Sequence, residues 1–81
     1  MSEADRAHER HQRRRAEAHE HAAAVHDLAA EMHRQAAEFF REHGEDVKAD
    51  RERNLGDRET REAEADRREA AEALGDLPPY P

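Results

Sequence analysis

The sequence has no cysteine, no tryptophan and no isoleucine, and only one tyrosine and two phenylalanines. Without cysteine there is no disulfide, no thiolate nucleophile and no Cys-ligated zinc. Leu, Val and Phe together supply eight of 81 residues. That leaves too few β-branched and aromatic side chains to build a sheet, and too little apolar bulk for a large enzymatic core. Long apolar runs are missing as well. Nothing approaches the ~20 residues of a membrane span or the roughly 7–15 of a signal-peptide core, so a cytoplasmic protein is the expectation. The hydroxyls of Ser2 and Thr60 stand apart from any local base or glycine-rich loop, and no catalytic residue is expected.

What is present points one way. Ala, Glu, Arg, Lys and Leu make up 49 of 81 residues, the composition of long helices and coiled coils. The net charge of −7 argues against nucleic acid as a partner, because phosphate neutralisation supplies most of that affinity. Charge is unevenly placed: residues 1–43 carry a net −2 and all seven histidines, whereas residues 44–81 carry a net −5.

Between Ser2 and His43 there is neither Gly nor Pro, and Ser2 with Asp5 in the first turn is a helix start. Gly44 supplies a helix stop. Gly56 could break the second helix. However, Ala49, Gly56, Ala63 and Ala70 recur every seven residues, which favours one continuous helix with a small-residue seam. The expectation is a single all-α domain over 1–81: helix 1 about 2–43, a turn at Gly44, helix 2 about 45–74 and a Pro-rich tail over 75–81. Leu77 and Tyr80 of that tail are expected to pack back on the last helical turn.

On helix 1, Ala18, Val25, Leu28, Ala29, Met32, Ala36 and Phe39 fall in one arc of about 100°. Val25, Leu28, Ala29, Met32, Ala36 and Phe39 are therefore the candidate interface. Ala22, Ala29 and Ala36 also recur at seven, matching the seam of the second helix. The implied architecture is an antiparallel, coiled-coil-like two-helix hairpin. Its register sets Met32 against Gly56, Val25 against Ala63, and Phe39 and Phe40 against Val47 and Ala49. Such a hairpin has little core, so it is expected to be completed by oligomerisation or by a helical protein partner.

The histidines offer the other candidate chemistry. His8 and His11 share a face at i,i+3, with Asp5 one turn before, and are the candidate ligands for zinc or nickel. Glu17 and His21 are a second pair. His8-Glu9-Arg10-His11 is one residue short of the zincin HExxH spacing. His19, His26 and His33 lie seven apart, ~10.5 Å along a helix, too far to share an ion. They read as half-buried polar residues beside the seam. His11, His21 and His43 lie in or beside the apolar arc. Burial would hold them neutral, which predicts loss of stability in acid. The basic arm of Arg6, Arg10, Arg13, Arg14 and Arg15 is expected to pair with Glu69, Glu72 and Asp76.

Stretches such as Ala22-Ala23-Ala24 and Ala36-Ala37-Glu38-Phe39-Phe40, with Arg used over Lys, resemble small Ala/Glu/Arg/His-rich helical proteins of high-GC actinobacteria. The resemblance implies a bacterial origin and no particular activity. Ala36-x3-Phe40, Gly44-Glu45 and Asn54-Leu55-Gly56-Asp57 are similar in cadence to a tetratricopeptide repeat, which would imply a peptide groove. Only one unit is present, without large residues on its second helix. The functional expectation is a non-catalytic module acting by self-association or protein–protein interaction. The alternative is a His-mediated metal-binding or pH-responsive helical protein.

Overall fold

In the computed structural model, which describes residues 2–75 and 77, the first helix begins at a capping box. The Ser2 hydroxyl accepts from the Asp5 amide at 3.1 Å, and the Asp5 carboxylate accepts from the Ser2 amide at 3.3 Å. Those hydrogen bonds to Ser2 hold the Asp5 carboxyl below its usual range. Helix α1 (Glu3–Glu42) then runs forty residues without interruption. It ends where Gly44 takes φ +73°, the left-handed conformation that glycine adopts without steric penalty. The amide of Glu45 closes the turn on the Phe40 carbonyl at 2.8 Å. Helix α2 (Asp46–Gly75) follows and passes through Gly56 unbroken. Folded back on each other, the helices make a rod of 63 × 17 × 13 Å, an all-α helical hairpin. Helix α1 alone exceeds the ~34 residues that a tetratricopeptide unit divides between two helices, so that cadence carries no fold.

The seam between the helices is made of the smallest side chains. Ala16, Ala23, Ala30 and Ala37 from α1 meet Ala49, Gly56, Ala63 and Ala70 from α2, and all are buried. Ala16, Ala70 and Ala73 form a cluster at the open end, with Leu74 packed against it. No buried side chain among the described residues is larger than alanine.

This corrects the rotation expected for α1. Val25, Leu28, Met32 and Phe39 do not face α2; they are 53%, 64%, 62% and 54% exposed. Val47, expected to meet the phenylalanines, is 79% exposed. The register also differs. A Cβ on Gly56 would approach the Ala30 carbonyl oxygen at 3.3 Å and the His33 Cβ at 3.5 Å, so Ala30, not Met32, lies opposite. The α1 column at the seam is 16/23/30/37, one position on from 22/29/36, and Ala22, Ala29 and Ala36 are half-buried beside it. Alanine columns let the axes come closer than the usual 8–10 Å, which a seam of Val, Met and Phe would prevent.

Candidate functional site

The residues three positions after each seam residue stand on one flank of the hairpin. Three of the four on each helix are ionisable: His19, His26 and His33 on α1, Glu52, Glu59 and Asp66 on α2; the fourth are Phe40 and Ala73. The chains run antiparallel with the same offset, so the two columns meet row by row. The imidazole Nδ1 of His19 lies 2.8 Å from Asp66 Oδ1, that of His26 2.5 Å from Glu59 Oε2, and that of His33 2.6 Å from Glu52 Oε2. His26 Nε2 also lies 3.6 Å from Asp66 Oδ2, linking adjacent rows. Imidazoles and carboxylates alike are half-buried.

The hydrogen bond to Glu59 raises the pKa of His26 above its ordinary value. Partial burial opposes this, and the negative charges of Glu59, Asp66 and Glu62 add to it. Nothing on α1 competes for the imidazole, because the residues three and four positions either side of His26 are Ala22, Ala23, Ala29 and Ala30. His33 is flanked the same way by Ala29, Ala30, Ala36 and Ala37.

The opposite flank, which carries the residues four positions after the seam, is built on arginine. The Arg67 guanidinium donates to the Asp27 carboxylate, holding Asp27 below the usual carboxylate range and raising Arg67. Arg34 donates to the Thr60 hydroxyl at 2.7 Å, and Arg41 to Asp50 at 2.9 Å. The hairpin thus has one flank of histidine and one of arginine.

The third feature is the apolar stripe of Val25, Leu28, Met32 and Phe39, on the face of α1 turned away from α2. Its C-terminal end is aromatic: the Phe39 ring lies 4.2 Å from the His43 ring and 5.6 Å from Phe40, centroid to centroid. A hollow of about 370 Å³ elsewhere is lined by Val47, Asp50, Arg51, Asn54, Leu55 and Arg58. All six belong to α2, so it is a gap between neighbouring side chains of one helix and not a cleft.

His8 and His11 are exposed on the N-terminal arm of α1. Among the described residues no group of three or more His, Asp or Glu is placed to hold a metal ion. His11, His21 and His43 are exposed, which removes the burial expected to keep them neutral. His43 Nδ1 instead lies 2.8 Å from the Phe39 carbonyl at the helix end. Arginines of the basic arm find partners within it: Arg6 and Arg10 reach Glu3, and Arg13 reaches Glu9 at 2.8 Å. The expected partner Asp76 lies outside the described residues, as do Pro78, Pro79, Tyr80 and Pro81. The Leu77 amide donates to the Leu74 carbonyl at 3.1 Å.

The pairing of the His row with carboxylates was not drawn from the sequence, although its signal was there. Glu52, Glu59 and Asp66 repeat at the same interval of seven as the histidines, each three after a seam residue. No protein-family model, curated protein or solved structure matches this chain.

Proposed function

We propose that this chain is a non-catalytic interaction module that pairs with a second copy of itself through the outer face of α1. One observation carries the reading: the chain glues its own helices with alanine and turns Val25, Leu28, Met32 and Phe39 outward. Large apolar side chains gathered on one exposed face favour burial against a partner.

The occupant is a second α1 because the stripe is complementary to itself when reversed. A two-fold axis between Leu28 and Ala29 sets Val25 against Met32 of the second copy and small Ala18 against large Phe39. The same register brings Arg15, N-terminal to the stripe, to Glu42 of the other copy, and the two-fold axis repeats that pair at the other end. Charge complementarity at both ends fixes the antiparallel direction. The reading needs no metal and no cofactor. No helix among the described residues is long and apolar enough to cross a membrane.

Sedimentation equilibrium tests it. The wild type should show a reversible monomer–dimer equilibrium, with a melting temperature that rises with concentration. Met32→Asp should weaken the dimer at least tenfold, ~1.4 kcal/mol, by placing a charge in the stripe. A wild type that stays monomeric at every concentration would refute the reading.

A further inference from the structure

The geometry points to an acid-tightened clasp: the rows His19–Asp66, His26–Glu59 and His33–Glu52 hold α1 to α2 more strongly when the imidazoles are protonated than when they are neutral. The clasp lies within one chain, so it stands whether or not two chains pair.

The charges around the rows favour this direction from both helices. From α2, the imidazoles face Glu52, Glu59 and Asp66 directly, with Glu62 nearby. The one cation at this edge of α2, Lys48, is engaged with Glu45 at 3.2 Å and lies over the Phe40 ring. From α1, the neighbours of His26 and His33 on this face are alanines, and Arg15 one turn before His19 donates to Gln12. Arg34 follows His33 but reaches Thr60 and Glu31 on other faces. Asp27, next to His26, is held by Arg67. Among the described residues the carboxylates therefore have no hydrogen-bonded basic partner other than the histidines, and Glu62 adds only its nearby negative charge.

A neutral imidazole N–H gives each carboxylate a hydrogen bond with charge on the acceptor alone; an imidazolium makes it an ion pair, with charge on both sides, and holds it more strongly. The folded hairpin thus binds protons more readily than the unfolded chain, in line with the raised pKa of His26. The added stability is complete below the unfolded histidine value of ~6.5 and is lost as pH rises through the higher folded value. The arginine flank keeps its charges throughout, so the hairpin loosens along one flank only. This reverses the acid lability expected from His11, His21 and His43.

The test is thermal melting of the dilute protein at about pH 5.5 and about pH 8, for the wild type and for a variant with His19→Gln, His26→Gln and His33→Gln. The wild type should melt higher at pH 5.5, by on the order of 5–10 °C, and the triple variant should lose most of that difference. A wild type that melts equally or lower in acid overturns the clasp. So does a triple variant that keeps the full difference, which would assign it to the exposed histidines. Should the triple variant not fold, the ring C–H resonance of His26 in the wild type decides. It must titrate above the ordinary ~6.5, and a value at or below that refutes the inference.

Discussion

A Cβ placed on Gly56 would stand 3.3 Å from the Ala30 carbonyl oxygen, tighter than most real Cβ contacts but within reach of a small shift. Alanine in that helical position gains about 0.5–1 kcal/mol over glycine, which offsets the crowding. Gly56→Ala should therefore lie within ~1 kcal/mol of the wild type. Gly56→Leu has no such relief, because a leucine side chain cannot fit between the helices. It should cost about 2–3 kcal/mol and lower the melting temperature by about 10–20 °C, read by circular dichroism. A Gly56→Leu protein as stable as the wild type would mean the alanine seam is not where the helices meet. The seam column of α2 was legible as a repeat of small residues. The matching column of α1 was not, because 22/29/36 and 16/23/30/37 are both alanine repeats at seven. What selects the second is tertiary: only that rotation places His19, His26 and His33 against the carboxylate row.

At the scale of the elements, both end signals of α1 are used. Ser2 and Asp5 cap α1 reciprocally, and Gly44 ends it with a positive φ. No atom would lie within 4 Å of a Cβ on Gly44, so the cost of replacing it is backbone strain alone. Gly44→Ala should lose roughly 1 kcal/mol and about 4–8 °C in melting temperature, and Gly44→Asn less, since asparagine tolerates the left-handed region. Equal losses for the two variants would show that the turn does not depend on that conformation. The helices themselves were legible from composition and punctuation. The facing of α1 was not legible, because its largest apolar side chains mark a face that does not make the internal contact. In a hairpin whose second helix offers only Ala and Gly at the seam, close approach of backbones takes their place. The large residues are left for another surface.

The whole molecule is a rod only 13–17 Å across and two helices thick, and among the described residues no side chain lies more than one layer from solvent. That shape puts the distinguishing features on its long edges and faces. One flank carries histidines against carboxylates, the opposite flank arginines against acids and a hydroxyl, and the back of α1 carries the apolar stripe. The central claim is that α1 turns its alanines inward and its large side chains outward toward a second copy. Because the chain has no cysteine of its own, a single introduced thiol reports on each face. The measurement is the rate of thiol labelling of Ala30→Cys and of Met32→Cys over a range of protein concentrations. The account predicts that the thiol of Ala30→Cys is protected at every concentration at which the hairpin is folded. That of Met32→Cys should label rapidly in dilute solution and slow progressively as chains pair. A Met32→Cys thiol protected in the dilute monomer, with that of Ala30→Cys open to reagent, would contradict it.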